Sequence, residues 1–537
     1  MNAGAAATPA TYCAEPFDRK HRMAGSGWSR RQLLAALGAV GTCALLPSVR
    51  AGTPQALLLR DVRLVDGTGA PARATDVLVR DGRIAQVGRA AARAPRGTRV
   101  VEGGGRVLAP GFIDLHVHGD PLEASYASFL AMGVTTVVLG QDGSSPAGAA
   151  AGGLRDWFNA VERARPDINV AALAGHGTLR RQAGIADDRR DPDAASIARM
   201  RELLVADLDA GAFGMSTGLE YVPGMYAGAA ELSALASAVA ARDCVAMSHM
   251  RSEDDDRVEA SLSEHIEASR PARTHVSHLK VVYGQGESRA ERLLAALDAH
   301  RRAGVELTAD AYPYVASYTG VGILFPDWAL PPHDYAQVRA TRRDELRTAL
   351  VERMTRRGGP QALLFGSGPH AGRTLAQVAD AMELAFADAL LEIGPRGGSA
   401  AHFVMDEALQ ARLLRDPHVA IASDGGPGMR HPRATGTFAR WIEQTVAGSG
   451  VALEEAVRKA TALPASILRL PDRGIVRPGA IADLVLFEPS RVRARSDYID
   501  PFAHAQGFDL VVLAGVPVFE QGERTGRAGQ VLRSMLR

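Results

Sequence analysis

The chain has 537 residues, enough for one large domain and a smaller one. Its 61 basic and 60 acidic residues leave a formal net charge of +1, so no global field points to a nucleic-acid partner. Glycine is abundant, at 56 residues, and aromatic residues make up 5%, a balance that excludes fibrous and disordered classes and suits a large α/β enzyme.

The first expected element is a targeting segment over residues 1–51. Ser29-Arg30-Arg31-Gln32-Leu33-Leu34 is a twin-arginine pair running into an apolar stretch that ends at Leu46, and Val49-Arg50-Ala51 offers a cleavage context. Roughly 14 apolar-rich residues are too few to span a bilayer comfortably. The segment therefore reads as a signal for export of a folded protein to the periplasm or beyond, with Met23 an alternative start and no stable membrane partner besides the export machinery. Once it is removed, Cys244 is the remaining cysteine and no intramolecular disulfide can form.

From 56 to 108 the pattern is short β-type runs such as Val62-Arg63-Leu64-Val65 and Ile84-Ala85-Gln86-Val87, separated by Asp66-Gly67 and Asp81-Gly82 turns. The same texture returns over 469–537, in Leu484-Val485-Leu486-Phe487 and Asp509-Leu510-Val511-Val512-Leu513. Two β-rich ends around a different middle suggest one small β-sandwich domain assembled from both. Between them, over 109–468, eight strand candidates (107–115, 134–139, 169–174, 211–216, 244–248, 274–277, 305–309 and 419–423) alternate with amphipathic stretches such as 228–242 and 287–303. That alternation predicts an α/β protein of the (β/α)8 TIM-type barrel class, whose reactive groups gather at the C-terminal ends of the strands. The last two strands are too far apart for one crossover, so an inserted subdomain is expected within about 315–400.

The strand ends carry the chemistry. Strand one leads into His116 and His118, spaced i, i+2, so that in extended chain both imidazoles share one face. Strand two runs into Gly140-Gln141-Asp142-Gly143, strand five ends at His249, strand six at His278 and strand eight at Ser423-Asp424-Gly425. Any one of these is ordinary; a histidine set and an aspartate at the ends of alternating barrel units suit a divalent metal. Asp424 is the general-base candidate, able to take a proton from a water and pass it to a leaving amine. Lysine occurs at Lys20, Lys280 and Lys459 alone, every other cation being arginine, which gives Lys280 added interest.

These residues resemble the amidohydrolase superfamily and, within it, the N-acyl-D-amino-acid deacylases (D-aminoacylases), from about residue 56 onward. The resemblance rests on Pro110-Gly111-Phe112-Ile113-Asp114-Leu115-His116-Val117-His118, Gly175-His176-Gly177-Thr178-Leu179-Arg180, Gly214-Met215-Ser216-Thr217-Gly218-Leu219-Glu220-Tyr221 and Ser248-His249-Met250-Arg251. Ser277-His278-Leu279-Lys280, Asp310-Ala311-Tyr312-Pro313-Tyr314, Ser423-Asp424-Gly425 and His431-Pro432-Arg433 match as well. The resemblance implies hydrolysis of a small N-acyl-D-amino acid with one or two divalent ions, zinc foremost. It implies His116, His118 and Asp424 around one ion and His249 and His278 around the other. Arg433, Lys280 and Tyr312 would surround the substrate carboxylate, with Tyr221 lining the same pocket.

Two departures stand out. The bridging ligand of the family is a cysteine after strand two, where this chain has Asp142, a harder ligand that should weaken the preference for zinc over other divalent ions. A tyrosine, Tyr318, stands where the family often has a pocket serine, which should reshape the side-chain pocket. His176 is expected to orient a ligand, and His275 to be a core or interstrand residue. The competing readings are a cyclic amidase of the dihydroorotase or hydantoinase type, opposed by the lack of a lysine in Gly214-Met215-Ser216-Thr217-Gly218, and a non-catalytic periplasmic binding protein descended from a hydrolase. Oligomeric state is left open.

Overall fold

The computed structural model describes residues 56–89, 94–148 and 152–535. The expected signal segment, 1–51, lies outside the described residues. Among the described residues, no helix is long and apolar enough to cross a membrane.

The two β-rich ends meet in one sheet of nine strands. Leu484–Phe487 from the C-terminal side pairs antiparallel with Val107–Pro110 from the N-terminal side, Val485 opposite Ala109. At the far end of the sheet, the strand Arg83–Val87 turns back toward the segment just before Leu484: the Ile84 amide donates to the Ala480 carbonyl at 2.8 Å. The sheet is thus folded on itself, and strand alternation decides what each face buries. Leu484, Leu486, Leu510 and Val512 fill the interior of the fold with Leu57, Leu59 and Leu64. Their neighbours Val485, Phe487, Val511 and Leu513 join the large core shared with the barrel helices. Apolar burial on both faces thus holds the sheet together and ties it to the barrel.

The barrel strands are Phe112–Asp114, Val134–Leu139, Asn169–Ala172 continued by Ala174–Gly175, Gly214–Gly218, Val245–His249, Arg273–Val276, Leu307–Ala311 and Val419–Ile421. Neighbours pair in parallel throughout. The ring is carried across the third strand by the Leu173 amide on Leu139, and it closes between strands one and eight through the parallel bridge Val117–Gly425. Val245 and Met247 point into the barrel interior with Ile113, Val138, Ala171 and Ala420, while Ala246 between them faces the helices.

The single strand expected over 107–115 is two strands. Val107–Pro110 belongs to the folded sheet and Phe112–Asp114 to the barrel. Gly111 is the joint: a Cβ there would lie 2.1 Å from the Thr135 side chain, so only glycine lets the chain pass that close to strand two. The apolar run is continuous because both halves are buried, which hides the break from any reading of hydrophobicity.

Between barrel strands seven and eight, Ser317–Gly320, Leu363–Phe365 and Ser399–His402 form a separate three-stranded antiparallel sheet. Helices Tyr335–Thr341, Arg343–Arg356, Leu375–Ala381 and Phe386–Ile393 accompany it. Leu346, Leu350, Met354, Leu363, Phe365 and Leu390 give this insertion a core of its own.

Candidate metal centre

His116 and His118 lie just past the end of strand one, in chain held extended by the Val117 bridge. That keeps the i, i+2 geometry, and both Nε2 atoms turn to the same two carboxylates. His116 Nε2 is 3.4 Å from Asp142 Oδ1 and 3.6 Å from Asp424 Oδ1. His118 Nε2 is 3.7 Å from Asp142 Oδ2 and 3.1 Å from Asp424 Oδ1. On the other side of Asp142, His278 Nε2 lies 3.4 Å from Oδ1, and His249 Nδ1 is 2.9 Å from His278 Nε2. The donors form two sets, His116, His118, Asp142 and Asp424, and Asp142, His249 and His278, each with one ligand atom per residue inside 4.8 Å. Asp142 belongs to both.

The site is buried and over-constrained. His116 is 0% exposed and His278 2%. Asp142, His278 and Asp424 have left-handed backbone, with φ of 52°, 37° and 50°. Aspartate tolerates that region, whereas for histidine it is a strain held by the surroundings. Here the surroundings are carboxylates. Asp114 Oδ1 receives the Ser423 amide at 2.9 Å and the His116 amide at 3.3 Å, tying strand one to strand eight. Asp310 Oδ1 receives the His278 amide at 2.7 Å, and Asp310 Oδ2 lies 2.8 Å from His275 Nε2. His275 is an interstrand residue that braces Asp310.

Electrostatics keep Asp142 and Asp424 ionised. Burial alone would raise the Asp142 pKa, but the His116 and His278 imidazoles hold it well below the ordinary value. Burial is likewise outweighed at Asp424 by Arg433, whose Nη1 is 2.9 Å from Oδ2, and by the imidazoles. Burial drives His116 toward its neutral form, the form that ligates metal. His116 Nε2 and Asp142 Oδ1 are both buried without a hydrogen-bond partner. Unpaired buried acceptors are costly. Imidazoles and carboxylates aimed at one point, with their lone pairs unsatisfied, fit a divalent cation.

Two acidic residues that sequence reasoning passed over complete the arrangement. Glu220 Oε2 lies 3.0 Å from His249 Nε2, the nitrogen facing away from His278. Glu253 Oε1 is 3.1 Å from His278 Nδ1 and 2.6 Å from Lys280 Nζ. Carboxylates in these positions fix the orientation and tautomer of a ligating imidazole. The available signal was spacing: Glu253 is four residues after His249, and Glu220 stands in a motif already singled out at strand four. Lys280 Nζ is on the Nδ1 side of His278, at 2.8 Å, away from Asp142. It is a charge partner of Glu253 and is not placed to bridge metals as a carbamate.

Arg433, Lys280, Tyr312 and Tyr221 surround the same space. The Arg433 guanidinium lies 4.9 Å from the Tyr312 ring centre, and the Tyr221 ring sits 4.5 Å from that of His249. Tyr221, Lys280, Tyr318 and Asp424 line a small cleft at the barrel mouth. Tyr318 stands on that wall, and a Cβ at Gly366 would meet its hydroxyl at 2.3 Å, so glycine makes room for the larger ring. His176 does not reach the ligands. Its Nε2 lies 2.7 Å from Glu231 Oε1, on the helix Ala229–Ala240, and Glu231 also receives Arg180. The expectation that His176 orients a ligand fails because it opens the helix His176–Gln182, which turns its Nε2 to that buried ion pair instead.

The Amidohydrolase family profile matches residues 376–519. N-acyl-D-glutamate deacylase of Alcaligenes xylosoxydans xylosoxydans is 35% identical over 498 residues, covering 88% of this chain and 95% of that protein. D-aminoacylase of the same organism is 32% identical over 509 residues, covering 89% and 98%. The crystal structure of N-acyl-D-glutamate deacylase from Bordetella bronchiseptica, complexed with zinc and a phosphonate mimic of the tetrahedral intermediate, superposes with a TM-score of 0.76 at 34% identity, over 89% of this chain and 99% of that one. This chain belongs to the N-acyl-D-amino-acid deacylase (D-aminoacylase) family of amidohydrolases.

Proposed function

We infer that the protein is a metal-dependent hydrolase that cleaves the amide bond of N-acyl-D-amino acids, releasing a carboxylate and the free amino acid. The observation that carries this reading is the pair of donor sets sharing Asp142 at the barrel mouth. His116, His118 and Asp424 would hold one ion and His249 and His278 the other, with Asp142 between them in the place of the family's cysteine. A divalent ion bound there supplies Lewis acidity, easing deprotonation of water and polarising an amide carbonyl.

The protein's own groups do the rest. Arg433 occupies Asp424 Oδ2, leaving Oδ1 on the ligand side to accept the proton of the attacking water and return it to the departing amine nitrogen. Arg433, Lys280 and Tyr312 would fix the substrate's carboxylate, the arginine through its planar fork. Burial of the whole set strengthens each of these interactions.

The test is direct. The full-length mature protein, stripped of metal and reconstituted with zinc, manganese or cobalt, is assayed on matched D- and L-N-acyl amino acids. Metal-dependent turnover of the D-isomers is expected; turnover of L-isomers alone overturns the stereochemical reading. Hydrolysis of a hydantoin or dihydroorotate in their place would establish the cyclic amidase, and metal binding without any turnover the binding protein. We also propose export by the twin-arginine route, supported by Ser29-Arg30-Arg31 and the apolar run after it. Replacing both arginines with lysine should leave the protein in the cytoplasm; normal export of that variant would refute the route.

A further inference from the structure

We propose that Arg357 reads a second carboxylate on the substrate, so that the preferred substrate is a dianion. This rests on the deacylase reading above and names a substrate class for the same cleft.

Arg357 follows the last residue of the insertion helix Arg343–Arg356 and lines the cleft that also holds Asp142, His278 and Asp424. It is 4% exposed. Its Nε has no hydrogen-bond partner, and its Nη1 reaches the Tyr283 hydroxyl at 3.4 Å. Among the described residues, no carboxylate oxygen lies within ion-pair distance of this guanidinium. The nearby Asp254 is engaged by Arg356, at 3.2 Å. His402, on the adjacent insertion strand Ser399–His402, is also buried with an unpartnered Nε2. Burial, with Arg357 and Arg353 close by, keeps that imidazole neutral, so it brings no compensating charge.

An arginine cannot shed its proton to escape burial. A buried cation without a partner is among the more costly arrangements a protein can hold. The cleft's own acids do not resolve this, since Glu253 is committed to Lys280 and His278, Glu220 to His249, and Asp142 and Asp424 to the ligand histidines. A guanidinium held in this way, on the lining of the cleft and with its Nε–H unpartnered, is suited to an incoming carboxylate, which an arginine can take through two parallel N–H donors. In the proposed reading the substrate's α-carboxylate is held by Arg433, Lys280 and Tyr312, so Arg357 serves another anion. That anion is a carboxylate on the side chain of the D-residue or at the far end of the acyl chain. The two share one chemistry and differ in where the amide falls between them.

The experiment uses the metal-loaded full-length enzyme and compares kcat/KM for each dianion with a neutral partner of the same shape. The pairs are N-acetyl-D-glutamate against N-acetyl-D-glutamine, N-acetyl-D-aspartate against N-acetyl-D-asparagine, and N-succinyl-D-alanine against N-butyryl-D-alanine. In at least one pair the dianion should be preferred by about 10- to 100-fold, the range expected of a charged hydrogen-bonded pair. The pair that shows it identifies the source of the anion. Arg357→Met should bring that ratio close to one, mainly through KM, and Arg357→Lys should keep part of it. Without substrate, Arg357→Met should hold or raise Tm, because an unpaired buried charge is removed. Ratios near one in wild type overturn the proposal, as does a ratio that survives Arg357→Met or a Tm loss that leaves the ratio intact. Turnover of neutral substrates with no preference defeats this inference and leaves the deacylase reading standing. Turnover of none defeats both.

Discussion

The barrel mouth and the inserted sheet face the same cleft but are built on different terms. Each donor at the mouth sits at or just past a strand paired on both sides, and Asp114 and Asp310 pin the backbone under His116, His278 and Asp424. The insertion has its own core and its own antiparallel sheet, and it turns one buried, unpaired arginine toward the site. The two regions divide the labour. Reaction chemistry needs groups fixed to within a fraction of an ångström, which a closed barrel supplies. Substrate choice needs a wall that can change without disturbing those groups, which a separately cored insertion supplies.

The largest effect should come from the mouth. Asp424→Asn keeps the shape and loses the proton acceptor, so kcat should fall by about 10²–10⁴-fold with an unchanged far-UV CD spectrum; a near-normal kcat would remove Asp424 from the chemistry. Asp142→Ala takes away the donor common to both sets. Metal content by mass spectrometry should drop by one ion per chain or more, with activity down by on the order of 100-fold. Full metal and full activity would show that the histidines suffice and that Asp142 is a turn residue.

The insertion should answer differently. Leu350 is fully buried in the insertion's own core. Leu350→Ala should destabilise that unit by about 2–5 kcal/mol, raise KM and spare metal content. Loss of metal in that variant would break the division between the two regions.

The smallest effect is a pH dependence seated in the barrel frame. Asp207 caps a neighbouring helix by accepting the Leu154 amide at 2.9 Å, and burial raises its pKa from 3.8 to about 6. Between those values the folded state holds the proton and the unfolded chain releases it. Stability therefore falls as pH rises through that window, and the full penalty is present above about pH 6. Asp207→Asn should gain about 1–2 kcal/mol at pH 8 and nothing at pH 4, read from Tm across the range. An equal Tm change at both pH values would assign the effect to packing.

Much of this was legible in residues close together in the chain. The barrel strands were recognisable from short apolar runs between amphipathic stretches, and the strand ends from the His, Asp and Gly residues that follow them. Fourth and seventh strands begin three and two residues later than expected; before the fourth, burial already starts in Gly211, Ala212 and Phe213, whereas before the seventh Glu306 is exposed. The break at Gly111 was invisible because both sides of it are buried. His176 looked like part of the site because its motif adjoins a strand end, and its partner Glu231 is 55 residues away. Glu253 and Glu220 were missed because spacing alone does not say which imidazole an acid meets, and Glu253 reaches His278 and Lys280 only through the fold.

By itself the sequence determined which groups stand at the ends of the strands, since period-two alternation and turn residues are local and short-range sterics enforce them. Only tertiary structure decided that Asp142 would stand between two histidine sets, that Glu253 would clasp Lys280, and that Arg357 would be buried without a counter-charge. Those outcomes depend on closure of the ring and on the docking of a separately folded insertion. They arise from contacts between residues tens to hundreds of positions apart, which no local pattern encodes.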